Sequence, residues 1–303
     1  MTTSNQKARA AKAAVLALAM KQETSWSKIS KNLLSLKAQG EPISWESFPS
    51  SFDWTMFPEN LTWDQLGQES LFDIPASGNS HEFEEKLIDD LASHDVQMIL
   101  CCEADFPVEI LDAKPIPPFL FYKGTMQPND SNGIAIIGTR KASDPALKAA
   151  EKFAQELAEA EVPVISGLAS GIDTAALRGS LTANGRTIAV IGTGIDRYYP
   201  PENHNLQDEI SEKGLLISQF LPGASPTKKS FPMRNAIMSA YASASLVIQA
   251  DDRSGARLQA RVAGEQGRQV FLYDPIMKHE SWAQEAVQKG KAKFVNTLQD
   301  IVG

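Results

Sequence analysis

Residues 164–173 read VISGLASGID. A short apolar run gives way at once to Gly167 and Gly171, with an isoleucine and an acid closing the stretch. That order is a buried strand, a glycine turn and the start of a helix. Glycine is costly to order, so glycines just past a strand mark a place where something comes close to the backbone. Working outward, the same unit recurs. GIAIIGTR (133–140) is a strand, and DPALKAAEKFAQELAEA (144–160) is an amphipathic helix with Asp144 as its cap and Pro145 in its first turn. RTIAVIGTG (186–194), LLISQF (215–220), SLVIQA (245–250) and QVFLYD (269–274) are further strands, the last of them closing the sheet. Helices are expected near 172–184, over 203–214 up to Gly214, near 233–243 and over 255–267. Short apolar strands separated by single helices specify an α/β fold with a mostly parallel, doubly wound sheet.

The rest of the chain is less regular. Residues 7–37 read as helical, 40–80 are rich in Pro, Ser, Trp and acids without periodicity, and 83–93 read as helical. VQMILCC (96–102) is a strand whose two adjacent cysteines point to opposite faces, so they read as reduced core residues. FPVEILDAKPIPPFLFYKG (106–124) is broken by prolines and is expected to cap the sheet edge irregularly. The expected organisation is a helical and irregular region over 1–94, the α/β domain over 95–275, and a tail over 276–303 too short for another domain. The first twenty residues read as an amphipathic helix rather than a signal peptide, because alanines dilute the apolar stretch and lysines flank it. No apolar run reaches the ~18 residues that a membrane span needs, so no membrane partner is expected, and the location is expected to be cytoplasmic.

The 303 residues carry a net charge of −8, which taken whole argues against nucleic acid. The charge is unevenly placed. Residues 1–37 balance at +6, 38–133 at −15, 134–275 at zero and 276–303 at +1. The acidity sits in one segment and leaves room for a local basic groove elsewhere.

In an open α/β sheet, ligands bind at the carboxyl ends of the strands. The strands of this chain run out into GTRKASD, SGLASGID, GTGIDRYYP, PGASPTKKSFPMRN and DDRSGARL. Nearly every turn mixes small residues with a cation, the makings of anion sites built on backbone N–H groups. Arg140, Arg186, Lys228, Lys229, Arg234, Arg253 and Arg257 are the counter-charges on offer. Several such loops on one edge point to a polyphosphate or a nucleic-acid backbone. Individual pieces keep blander readings. Asp173 reads equally as a helix-turn residue, Tyr198 and Tyr199 as core or as a stacking platform, and Lys228 and Lys229 as a solvated loop. His204 reads as a capping or surface residue. GTGIDR fails as a dinucleotide fingerprint because Arg197 takes the third glycine position. No Ser–His–Asp order, HExxH or Walker A lysine is present, so no enzyme activity, metal or cofactor is expected.

These motifs in series, from GTR through ISGLASGID, TIAVIGTGIDRYYP and FPMRN to RSGARLQARVAGEQGRQVF, resemble the DNA-processing protein A family (DprA, also called Smf) over about residues 95–275. The resemblance implies an extended Rossmann-like fold that binds single-stranded DNA, forms homodimers and hands DNA to a RecA-type recombinase. It implies DNA contacts from Arg140 and Arg186, a glycine loop of Ser166, Gly167, Leu168, Ala169, Gly171 and Asp173, and an FPxRN element matching Phe231, Pro232, Arg234 and Asn235. Ser254 and Gly255 match its RSG turn. The chain departs from the family pattern at Leu177, where His is usual, at Ala236, where a second Arg is usual, and in SGARLQA for SGSLITA. The usual PG after VF is missing, and the winged helix of many members is not expected. Register alone puts Arg186 at the amino end of its strand; only the resemblance brings it to the DNA pocket. Two other functions remain open on the same fold: a nucleotide sensor or nucleotide-processing enzyme, and a DNA-independent interaction module of a phage or defence system. The first would need the PGGxGT loop and following glutamate that DDRSGARLQA lacks.

Overall fold

The computed structural model describes residues 9, 11–13, 15, 16, 19, 25–39 and 89–303. The expectations for 40–80 and for most of 83–93 lie outside the described residues. The described residues between 9 and 19 are helical, and they bury Val15, Leu16 and Ala19 in the same core as Ile29 and Leu33 of α1 (Trp26–Gln39). The Trp26 ring sits 5.4 Å from that of Phe119, and the Ser30 hydroxyl donates to the Ile116 carbonyl at 2.7 Å.

The strands and helices then run as β1 (Gln97–Leu100), β2 (Phe119–Gly124), β3 (Ile134–Gly138), α2 (Asp144–Glu159), β4 (Val164–Ser166), α3 (Ile172–Thr182), β5 (Thr187–Gly194), α4 (His204–Lys213), β6 (Leu215–Phe220), α5 (Ser230–Tyr241), β7 (Ala244–Gln249), α6 (Gly255–Glu265), β8 (Gln269–Tyr273), α7 (Asp274–Met277), α8 (Ser281–Gln288), β9 (Lys293–Val295) and α9 (Gln299–Val302). They build one nine-stranded sheet in the order β1-β2-β6-β5-β4-β3-β7-β8-β9. β1, β2 and β6 pair antiparallel, and every other pairing is parallel. The Rossmann-like doubly wound α/β architecture is therefore present, with an antiparallel extension on one side.

The apolar runs are continuous because both faces of the sheet are covered. Alternate residues of β3 enter different cores, Ile134 and Ile136 on one side, Ala135 and Ile137 on the other. Each buried isoleucine contributes roughly 1.5–3 kcal/mol, so a polar residue on either face would be costly. α2 closes one side with Ala146, Ala150, Phe153, Ala154 and Leu157 on a single stripe.

Four expectations are corrected. Residues 276–303 are not a tail outside the sheet, because Phe271, Leu272 and Tyr273 pair with Lys293, Phe294 and Val295. The proline-rich 106–124 stretch supplies a true strand, β2, once the prolines have been used up before Phe119. The cap of α2 is Ser143, with Asp144 already in the first turn. The cysteines lie in a turn just past β1; both are buried and free, and burial pushes their thiols up to about 12 (Cys101) and about 11 (Cys102).

Candidate nucleic-acid interface

The chain lays β3 to β6 outward on one side of β3, then returns to place β7 on the other. The carboxyl ends of β3, β4, β5 and β6 gather the first four loops at one edge. There a cavity of about 30 Å³ is lined by Arg140, Gly167, Ala169, Ser170, Gly192, Tyr199, Pro200, Phe231 and Arg234.

Arg234 is the buried cation of this site. It projects from the second turn of α5, is 5% exposed, and lies 3.7 Å from a carboxylate oxygen of Asp173 through Nη1. Its Nε is buried without a partner among the described residues. A Cβ on Gly167 would stand 1.1 Å from the Arg234 Nη1, so glycine is required there to seat the guanidinium. The glycine turn is thus occupied first from inside the protein. Gly171, at φ +82, answers to a different demand: a Cβ would meet the carbonyl oxygens of Thr139 and Arg140 at 2.5 and 2.7 Å. It locks the second loop against the first.

Asp173 holds the turn together. Its carboxylate accepts from the N–H groups of Gly167 (3.2 Å) and Ala169 (3.4 Å), so those donors are already engaged. Burial pushes its carboxyl above the ordinary range, against the pull of Arg234, the two N–H groups and Arg140. Burial likewise lowers Arg234, opposed by Asp173. Leu168 takes a left-handed backbone (φ 58), with its carbonyl held by the Asn203 amide at 2.9 Å. Ser166 is buried and donates to the Ile136 carbonyl at 2.7 Å.

Above the cavity, Arg140 is exposed and makes no ion pair among the described residues. Its guanidinium stands 4.8 Å from the centre of the Phe231 ring, a cation–π contact. The Tyr199 ring lies 5.7 Å from that of Phe231, tilted by 39°. Lys141, Lys228 and Lys229 are exposed on the adjoining loops. An acid joins the rim: Glu202 accepts the Ser170 hydroxyl at 2.8 Å, and its own backbone N–H together with that hydroxyl holds its carboxyl below the usual range.

Of the residues singled out from sequence, Arg140, Gly167, Ala169, Tyr199, Phe231 and Arg234 line the cavity, while Ser166, Leu168, Gly171 and Asp173 shape it from beneath. Asn235 sits on α5 outside the lining. Ser254 caps α6, its hydroxyl accepting from the Ala256 N–H at 3.2 Å, and Gly255 opens that helix; neither reaches this cavity. Arg186 is a correction. It lies at the amino end of β5, where Nε and Nη2 each bind the Asp130 carboxylate at 2.8 Å and Nη2 also bonds the Thr125 carbonyl. Strand direction, not resemblance, decides its place. Ser170, Gly192 and Pro200 complete the lining; all three lie in the strand-end turns SGLASGID and GTGIDRYYP, whose small residues were the readable signal.

A sequence profile described as DNA recombination-mediator protein A matches residues 97–303. The chain belongs to this family. It is 38% identical over 199 residues to the DNA processing protein DprA of Streptococcus pneumoniae, covering 65% of this chain and 70% of that one. It is 38% identical over 173 residues to the protein Smf of Synechocystis, where the match covers 56% of this chain and spans 44% of the relative's length. The crystal structure of the Streptococcus pneumoniae protein superposes with a TM-score of 0.70 at 29% identity, covering 94% of this chain and 95% of that one. A structure that describes a single-stranded DNA binding mode, that of DNA processing protein A from Helicobacter pylori, superposes at 0.61 and 27% identity over 68% of this chain and 94% of that one. The family's place in the fold is now the whole sheet, including β9.

Proposed function

We propose that this protein binds single-stranded DNA along the carboxyl edge of β3 to β6, and that it mediates recombination without chemistry of its own. The observation that carries the reading is Arg140, exposed and without an ion pair among the described residues, standing over a cavity with a second, under-satisfied arginine at its base. A cavity of about 30 Å³ between two arginines suits a single oxyanion group, and a phosphate of a longer strand is the occupant this reading favours. Arg140 supplies the outer charge-assisted contact and Arg234 the inner field. Lys141, Lys228 and Lys229 extend the positive edge for flanking phosphates, and the Tyr199–Phe231 pair offers aromatic surface to bases. The similarity to the Helicobacter pylori protein supports the choice of single-stranded DNA. Family membership supports hand-over to a RecA-type recombinase by a homodimer, in the cytoplasm. Arg186 is not part of this reading.

Labelled oligonucleotides and mononucleotides titrated across a salt series test it. Oligonucleotides should bind with no base preference, and Arg140→Ala should weaken them about tenfold while lowering the salt slope by about 0.7. Wild-type affinity and slope in that variant would refute the phosphate site. Light scattering at micromolar concentration reads the dimer, and a monomer mass would remove it.

A further inference from the structure

The turn at Ser254 and Gly255 carries the same Gly/Ser/Arg signature as the loops around Arg140, yet it heads a different surface. Below it, α6 forms one wall of a groove of about 710 Å³, and α8 with residues 289–293 forms the other. Arg257, Arg261 and Arg268 line the first wall, Lys289, Lys291 and Lys293 the second. Glu265 and Glu285 are the groove's two acids, so the lining carries a net charge of +4. Four of these cations have partners on or near the surface: Arg257 with Asp252, Arg261 with Glu265 at 3.6 Å, Arg268 with Asp112, and Lys289 with Glu285. The exposed pairs of Arg257, Arg261 and Lys289 hold their partners by about 1 kcal/mol or less, so they exchange readily for an incoming anion, while Arg268 is fixed by further bonds to the Ala240 and Gln266 carbonyls. Lys291 and Lys293 are exposed and make no ion pair among the described residues.

The geometry points to this groove as a second track for the phosphate backbone of single-stranded DNA, separate from the Arg140 cavity. The inference rests on the proposal that the protein binds such DNA. Three features select the occupant. Cations on both walls match an extended polyanion, whereas one small anion would leave most of the volume unfilled. The large apolar side chains of the lining, Trp282 and Val270, are buried, so an amphipathic peptide finds no anchor. Trp282 is committed inward, its indole N–H donating to the Ala250 carbonyl at 2.9 Å, so bases find no stacking face and the contact reads backbone only. The cavity over α5 grips one point of the strand; the groove holds a longer stretch by charge.

Anisotropy titrations with oligonucleotides of about 8 and about 40 nucleotides, on the full chain, separate the two sites. The variant Arg261→Ala/Lys291→Ala/Lys293→Ala touches only exposed side chains, and its thermal midpoint checks its folding. It should leave the short oligonucleotide within about twofold of wild type, weaken the long one about tenfold, and lower the long one's salt slope by about 2. The long oligonucleotide should also protect Lys291 and Lys293 from acetylation. Unchanged long-strand affinity and slope would overturn the groove, including the case in which it captures an acidic protein instead. If Arg140→Ala binds normally while the triple variant fails on the long strand, the cavity reading falls and the groove stands. If the wild type binds neither oligonucleotide, both fall.

Discussion

Two buried arginine–carboxylate pairs sit at opposite ends of the same sheet, and they are built to different standards. At the amino end, the Asp130 carboxylate receives two bonds from Arg186 at 2.8 Å, the Gln127 N–H at 2.8 Å and the Tyr241 hydroxyl at 3.3 Å. At the carboxyl end, Asp173 and Arg234 approach only to 3.7 Å, the N–H bonds are 3.2 and 3.4 Å, and Arg234 Nε is left over. A buried carboxylate held by four donors has little to offer a ligand; it fixes strand register. A buried cation short of partners keeps binding capacity in reserve. The difference separates structure from function more cleanly than residue type does, since both sites are one Asp and one Arg.

The widest test of that contrast is Arg186→Ala. It strands a fully buried carboxylate, so it should cost about 3 kcal/mol, the lower end for breaking a buried pair because Arg186 itself keeps some exposure. The check is the denaturant midpoint, with oligonucleotide affinity of the folded protein expected to stay at the wild-type value. A variant of normal stability that had lost DNA would exchange the roles of the two ends.

The strands at the Arg234 end were legible because β3 to β8 are apolar runs closed by glycine or polar turns, a pattern that survives without tertiary knowledge. β9 was not, since Lys293-Phe294-Val295 is three residues long with a charge at its start. β2 was hidden by Pro115, Pro117 and Pro118 immediately before it. Arg140 was readable as a loop cation. The job of Gly167 was not, because its reason lies on α5, sixty-seven residues away in the chain, and no local pattern announces which side chain will fill a glycine's space. Arg186 shows the opposite failure: strand direction had placed it correctly, and the resemblance overrode it.

Gly167→Ala probes that filled space. The added methyl overlaps the Arg234 guanidinium, which is buried between the Asp173 carboxylate and the Met238 sulfur and must leave its seat. The expected cost is about 2 kcal/mol of stability, together with about a tenfold loss of oligonucleotide affinity as the inner cation is displaced. Retained affinity alongside lost stability would show that Arg234 only supports the loop.

The subtlest contrast is electrostatic. Burial raises the Asp173 carboxyl above its ordinary 3.8 even with Arg234 beside it, so desolvation outweighs the loose pairing. The folded protein therefore holds this proton more tightly than the unfolded chain does. The stability linked to that proton is fully present below pH 3.8 and is lost as pH rises through the folded value. Asp173→Asn removes the titration while keeping one acceptor for the Gly167 and Ala169 N–H groups. At neutral pH the substitution should cost about 1 kcal/mol. The wild type's advantage should then grow as the pH falls from about 7 to about 4, measured by urea unfolding at steps between. A phosphate in the cavity, being negative, would raise the carboxyl further, so oligonucleotide binding by the wild type should take up a fraction of a proton and tighten on acidification beyond that of the Asn variant. An advantage that shrinks on acidification would mean that Arg234 and the loop N–H groups stabilise the carboxylate after all. The carboxyl end would then be as fully satisfied as the amino end, and its claim to bind an anion would rest on Arg140 alone.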